Sequence, residues 1–280
     1  MELIADSGST KTTWCIIHEN GRTESCRTAG INPFLQTEEE ILATLTGEFT
    51  LAKGPFNAIH FYGAGCANQE KNEKVSRQLD TFFLAKSVHV HSDLMAAARS
   101  LCGDRPGIAA ILGTGSNSCY YDGSRIVSHV SPLGYILGDE GSGTVMGRKL
   151  LSDVLKKQLP EEICRSFYTR YRLDAAEIME NVYRKPFPNR FMAKFTPFLA
   201  ENIDHPPVYQ LVKSSFAEFF NRNIRQYPQA ALLPVNVAGS IAWYFREVLT
   251  CAAGETGFRM GTVTEDPMDG LIGYHLFNTG

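Results

Sequence analysis

The sequence predicts an α/β protein of two domains that arose as a duplication, and three observations point to that architecture. First, Leu3-Ile-Ala-Asp-Ser-Gly-Ser-Thr10 and Ile108-Ala-Ala-Ile-Leu-Gly-Thr-Gly-Ser-Asn117 are built alike. Each is an apolar run, then a small-residue turn with glycine beside Ser or Thr, then an alternating run that ends in Asn20-Gly21 or Asp122-Gly123. Those dipeptides favour the positive φ angles of two-residue hairpins, so each copy reads as strand, glycine turn, strand, hairpin, strand. Second, further strand-like runs alternate with helical patterns after each copy. Third, 280 residues with 44% hydrophobic and 20% charged content suit two ordinary globular domains. The expected division is 1–106 and a larger 107–280, the last helix, about 266–277, packing back on the first domain.

The first three strands are expected at 2–6, 12–18 and 23–28. Small residues at the turn between the first two let backbone N–H groups and hydroxyls approach an anion. Two such turns facing each other would grip a polyphosphate from both sides. Neither turn has the P-loop spacing or opens a helix as a Rossmann turn does. Asp6, ending the first strand, is a candidate for holding Mg²⁺, which prefers oxygen ligands and keeps several waters; an Asx-turn residue bonding its own loop is the alternative. Lys11 reads either as a phosphate contact or as a solvated lysine.

Asn32-Pro33 marks a loop in which Asn32 either makes the turn or reads a polar substrate. Thr37 and Glu40 form a capping-box pattern opening a helix through about 52. A buried strand at 57–62 ends in Gly63-Ala-Gly65, a helix spans 69–84, and 87–91 alternates as a strand. Ser92 or Asp93 then caps an alanine-rich helix to 101. At the carboxyl end of a strand, where open α/β sheets gather ligands, Asp93 is also placed to accept the proton of an attacking hydroxyl.

Past Pro106-Gly107, strands at 108–112, 117–121 and 125–130 repeat the first pattern. Glycines 134, 138, 141 and 143 then bracket Asp139 and Glu140 at the start of a helix to about 155. The helix dipole alone would stabilise these carboxylates; four glycines around them also suit a loop that approaches sugar hydroxyls. Residues 160–227 read as helical with breaks at 185–188 and 205–207, and Phe187, Phe191, Phe195 and Phe198 form a core stripe. A strand at 232–237 turns through Ala238-Gly-Ser240 into a helix at 241–252. There Gly239 lets a flat ring such as adenine lie against backbone, or simply packs tightly. A strand at 257–263 precedes the last helix.

A net charge of −3 and a pI near 6.2 argue against a general nucleic-acid surface. No long apolar run suggests a membrane span or a signal segment. The seven cysteines are scattered without C-x-x-C spacing and read as reduced and structural in a cytoplasmic protein.

Together, Asp6-Ser-Gly-Ser-Thr10, Ser92-Asp93-Leu-Met-Ala-Ala97, Leu112-Gly-Thr-Gly-Ser-Asn117, Gly138-Asp-Glu-Gly-Ser142 and Ala238-Gly-Ser240 resemble the sugar-kinase, Hsp70 and actin superfamily. Within it the chain looks most like the N-acetylglucosamine kinase branch, in the wider family that includes the benzoyl-CoA reductase and hydroxyacyl-CoA dehydratase ATPases. The resemblance covers almost the whole chain. It implies a duplicated ribonuclease H-like (actin-like ATPase) fold around a nucleotide and sugar cleft, with ATP and Mg²⁺ serving phosphorylation of an amino-sugar 6-hydroxyl. It places Ser9, Thr10 and Lys11 at the phosphates, Gly115 and Asn117 near the nucleotide, and Gly239 at adenosine. It makes Asp93 the base, and sets Asn32, Thr114, Gly134 and Asp139 at the sugar. Where vertebrate-type members have Gly-Trp-Gly near the sugar, this chain has Pro132-Leu133-Gly134. Many relatives pair through the second domain, so the resemblance allows a homodimer.

Two competing readings accompany it. An activator ATPase of the same family would carry cluster-binding cysteines in an Asn-Asp-Lys-Cys-Ala-Ala-Gly-Thr-Gly type segment, which this chain lacks. A sugar sensor on the same fold would not need Asp6, Asp93 and Asp139. The sugar stays open among N-acetylglucosamine, glucosamine, N-acetylmannosamine and muramic-type relatives.

Overall fold

The computed structural model of the protein describes residues 1–8, 10–66 and 68–278. The chain forms two compact units, Met1–Arg105 with Pro267–Gly280, and Pro106–Asp266.

In the first unit, β1 (Glu2–Ser7), β2 (Lys11–Ile17) and β3 (Thr23–Ala29) form an antiparallel meander. After α1 (Glu38–Glu48), β4 (Ala58–Gly63) returns parallel to β1; α2 (Gln69–Phe82) leads to β5 (Val88–Ser92), parallel to β4, and α3 (Asp93–Cys102) follows. The sheet order is β3-β2-β1-β4-β5. On one face Leu3, Ala5, Trp14, Phe61 and Leu79 form an apolar core.

The capping box opens α1: Thr37 Oγ1 accepts from the Glu40 N–H at 3.2 Å, and Glu40 Oε2 accepts from the Thr37 N–H at 2.7 Å. Thr37→Ala is expected to cost about 1 kcal/mol of unfolding free energy, measured by urea denaturation. The helix stops at Glu48, not near 52. Phe49 turns extended there to bury its ring against Trp14, at 5.5 Å between centroids, and Phe83, at 4.9 Å. A core aromatic ends this helix, two residues after Gly47.

The second unit repeats the plan. Here β6 (Gly107–Leu112), β7 (Ser116–Tyr121) and β8 (Ile126–Val130) form the meander, and β9 (Val235–Ala238) and β10 (Met260–Thr264) add parallel strands, in the order β10-β9-β6-β7-β8. Between β8 and β9 lie α4 (Gly134–Leu137), α5 (Gly143–Leu155), α6 (Glu161–Tyr171), α7 (Ala175–Tyr183), α8 (Pro188–Ala193), α9 (Thr196–Glu201) and α10 (Pro206–Arg222). Two short helices, α11 (Ser240–Tyr244) and α12 (Arg246–Thr256), separate β9 from β10. The single helix expected at 241–252 is broken at Phe245, whose ring is buried near Phe216.

The phenylalanine stripe is divided. Phe195 and Phe198 are fully buried and Phe191 packs beside them, but Phe187 is 48% exposed with a φ of 58° before Pro188. Proline at the first helical position of α8 and again in α9 splits the stretch, so the even spacing does not lie on one helix. The strand expected at 232–237 begins only at Val235, because Leu232 follows a 3₁₀ turn and is exposed.

The last helix, α13 (Met268–Asn278), belongs to the first unit, where Met268 and Leu271 join Ile4, Tyr62 and Ala96 on the second face of the sheet. Among the described residues no helix is long and apolar enough to cross a membrane.

Candidate functional site

The parallel strands of the first unit end in register. Ser7 pairs with Gly63, and Gly63 with Ser92, so the carboxyl ends of β1, β4 and β5 form one line. Ligands collect along such an edge in open α/β sheets. At the end of β1 the Gly8 N–H donates to the Lys11 carbonyl at 3.0 Å, closing the glycine turn. Ser9 lies outside the described residues, while Thr10 and Lys11 are exposed.

Buried Ser7 ties this turn to the loop that carries Asn32. Its Oγ donates to the Ile31 carbonyl at 3.0 Å, accepts from the Ile31 N–H at 2.9 Å, and lies 2.7 Å from Thr12 Oγ1. Asn32 is thereby fixed next to the end of β1. Its Oδ1 accepts from the Phe34 N–H at 3.0 Å, as an Asx turn does. The same oxygen packs on Gly65, where a Cβ would approach it to 2.2 Å. Asn32 thus makes the turn and stands beside the end of β4.

At the end of β5, Ser92 is the cap of α3, accepting from the Met95 N–H at 3.3 Å. Asp93 is the first helical residue, and its Oδ1 accepts from the Leu94 N–H at 2.8 Å. Desolvation by burial raises the Asp93 carboxyl above the ordinary range, opposed by backbone N–H groups of Leu94 and of Asp93 itself. Cys66, after the β4 turn, was not singled out by the sequence. Burial pushes its thiol up to about 12, and the Asp93 charge adds to the effect. A thiol so held stays protonated and unreactive.

In the second unit the glycine turn rests on the start of α5. The N–H groups of Gly143 and Thr144 donate to the carbonyls of Gly113 and Thr114 at 2.9 and 3.1 Å, and Thr144 Oγ1 donates to the Thr114 carbonyl at 2.6 Å. In a planar trans peptide the N–H points opposite to the preceding C=O. The N–H groups of Thr114 and Gly115 are therefore aimed away from α5, as an anion cradle requires.

Asp139 completes that turn. Its Oδ1 accepts from the Ser116 N–H at 3.3 Å, and both carboxylate oxygens would lie 3.3 Å from a Cβ placed on Gly115. The loop supports this position: the Asp139 N–H donates to the Pro132 carbonyl at 2.9 Å, with Asp139 at a φ of 56° and Gly134 at 74°. Burial, opposed by Ser116 and reinforced by Glu140, lifts the Asp139 carboxyl to about 6. The carboxylates expected to start the helix instead precede it, because Ser142 caps α5. They also diverge: Glu140 accepts from Arg222 Nε at 2.9 Å and from Asn223 Nδ2 at 3.1 Å.

Two other predicted positions have local partners. Asn117 Oδ1 is 2.8 Å from His129 Nε2 and accepts from the Ser118 N–H at 3.0 Å. Gly239 has a φ of 125°, and a Cβ there would meet the Leu112 carbonyl oxygen at 2.3 Å. Close packing of β9 on β6 accounts for this glycine without a ligand.

Mg²⁺ takes oxygen ligands, and each unit has a glycine turn with room beside its backbone amides. Asp6 supplies a carboxylate at the end of β1, in register with Thr13 and Tyr62. Glycine at 8 and 113 is not demanded by internal packing. A Cβ on Gly8 would meet only the Lys11 carbonyl oxygen, at 3.7 Å, and one on Gly113 nothing within 4 Å. Such open space beside backbone amides is what close approach of a phosphate needs.

No protein-family model matches the chain, and no curated protein matches it. Among solved structures, a protein named "Putative N-acetylglucosamine Kinase" from Porphyromonas gingivalis is 48% identical over 100% of both chains, with a TM-score of 0.96. The protein of the same name from Chromobacterium violaceum is 20% identical over 98% of each chain, with a TM-score of 0.77. Component A of (R)-2-hydroxyglutaryl-CoA dehydratase from Acidaminococcus fermentans is 13% identical over 99% of this chain and 96% of its own, at a TM-score of 0.50. These last two likenesses show the shared actin-like ATPase fold alone.

Proposed function

Because the chain belongs to the N-acetylglucosamine kinase-like family of the sugar-kinase, Hsp70 and actin superfamily, we propose that it transfers the γ-phosphoryl group of ATP to the 6-hydroxyl of an amino sugar, N-acetylglucosamine first among the candidates. The observation that carries this reading is the full-length match at 48% identity to the Porphyromonas protein.

Phosphoryl transfer asks a protein chiefly to position groups and to offset charge. Asp93 accepts the proton of the 6-hydroxyl as its oxygen attacks the γ-phosphorus. Its raised carboxyl suits the task, since a base closer to neutrality takes and returns a proton more readily. Asn32, Thr114, Gly134 and Asp139 hold the sugar. Asn32 offers its amide N–H donors, its oxygen being engaged by Phe34. Ser9, Thr10, Lys11, Gly115 and Asn117 receive the nucleotide phosphates, and Gly239 the adenosine. Asp6 would hold Mg²⁺, which neutralises phosphate charge when bound.

The test is ADP release from Mg-ATP across a panel of N-acetylglucosamine, glucosamine, N-acetylmannosamine and N-acetylmuramic acid. Release only with N-acetylglucosamine is the expected result. Release with glucosamine alone would keep the mechanism and move the substrate. Release without any sugar would replace the kinase by an activator-type ATPase.

A further inference from the structure

The face of the first sheet that α13 covers carries a cluster that phosphoryl transfer does not use. Glu2 opens β1, His60 lies in β4 and His275 in α13; one donor atom from each, two imidazole nitrogens and a carboxylate oxygen, all lie within 4.8 Å of one another. We propose that Glu2, His60 and His275 form a binding site for a divalent transition metal of the zinc class, which staples α13 to β1 and β4.

The three donors already form one cluster. Glu2 Oε2 is 3.7 Å from His60 Nε2, and the rings of His60 and His275 are 3.9 Å apart between centroids, tilted by 32°. Zinc bonds of about 2.0–2.2 Å put tetrahedral neighbours roughly 3.4 Å apart. The two rings lie nearly face to face, so rotation of the imidazoles is what aims both nitrogens at one ion. Two imidazoles among three donors select against Mg²⁺ and Ca²⁺, which take oxygen, and favour zinc, nickel or copper. The site is therefore chemically distinct from the Mg²⁺ position assigned to Asp6.

The surroundings match those of a ligand set. Glu2 and His60 are half-buried and His275 is buried, so the three donors sit at the inner edge of the sheet face and not on open surface. Behind the trio, Tyr62 Oη lies 2.8 Å from His275 Nε2 and accepts from Arg99 Nη1 at 2.8 Å. A second partner of this kind fixes the ring of a metal-binding histidine. With the ion on Nδ1 of His275, Nε2–H donates to Tyr62. The Glu2 and His60 side chains keep 20% and 15% exposure, which leaves an entry path from solvent.

The experiment is a titration of metal-stripped, full-length protein with Zn²⁺ by equilibrium dialysis and metal analysis, repeated with Glu2→Gln and His60→Gln. Wild type is expected to take up one equivalent, each variant to bind at least tenfold more weakly, and Zn²⁺ to raise the melting temperature of wild type only. Circular-dichroism melts without metal check that the variants fold; Glu2→Gln, at the edge of the cluster, is expected to melt like wild type. Cobalt substitution separates the site from the cysteines, since a nitrogen and oxygen set gives ligand-field bands without thiolate charge transfer. No stoichiometric uptake, a thiolate band, or binding unchanged in both variants would overturn the proposal. None of these readouts depends on kinase activity.

Discussion

Asp93→Asn is expected to lower the kcat of sugar phosphorylation by about 10²–10⁴, the usual worth of a positioned general base, while the protein melts no lower than wild type. Asparagine keeps the local structure because its oxygen can still accept from the Leu94 N–H, and Ser92 continues to cap α3. What disappears is a proton acceptor and a carboxylate whose charged form burial disfavours. The sign follows from linkage. A carboxyl raised in the folded state holds its proton to higher pH than in the unfolded chain. Stability is therefore lost as pH rises through the folded value, and a neutral side chain escapes that loss. Steady-state kinetics for ATP and the sugar, beside thermal melts at pH 7.5, read both halves. An Asp93→Asn variant within tenfold of wild type would remove Asp93 as the base. A collapsed melting temperature would instead make it a structural residue.

The strands of both meanders and the duplication were legible because their signals are local. An apolar run, a glycine turn and an Asn-Gly or Asp-Gly hairpin lie within about two dozen residues of one another. The duplication is seen again in the sheet orders, where each unit adds two parallel strands beside the first strand of its meander. Local chemistry also places the Thr37–Glu40 box and the Ser92 cap. Misplaced boundaries are those set by distant packing: Phe49 leaves α1 for Trp14, and Phe245 breaks a helix to sit near Phe216. The same limit applies to the site. Asp93 could be read from its place after a strand, but the contact of Asp139 with Gly115 joins residues that only the fold brings together. Cys66 beside Asp93, and the histidines of β4 and α13, carry no spacing signal either, since their partners come from separate strands and from the chain's last helix.

Asp139→Asn is expected to divide function from stability in the opposite directions that its environment implies. If Asp139 accepts hydrogen bonds from a sugar hydroxyl, loss of its charge raises the KM for sugar about 10–100-fold, in keeping with hydrogen bonds to charged groups of roughly 1.5–3 kcal/mol, and leaves the KM for ATP nearly unchanged. A residue that only staples the glycine turn would not behave so, because asparagine can still accept from the Ser116 N–H. Stability should move the other way. The carboxyl is lifted to about 6, mainly by burial. Between about pH 4, where an unfolded aspartate ionises, and pH 6, the folded state holds more protons, so stability falls as pH rises. The full shift would correspond to about 3 kcal/mol, but the side chain is partly exposed and screening reduces this to about 1 kcal/mol. Subtracting the Asp139→Asn unfolding free energy from that of wild type at each pH isolates this contribution from every other titrating group. The difference is expected to be smallest near pH 4 and to reach its limit, with the variant more stable, above pH 6. A flat difference curve would remove the raised carboxyl. An unchanged sugar KM would leave Asp139 as a support of the turn, and sugar recognition to Asn32, Thr114 and Gly134.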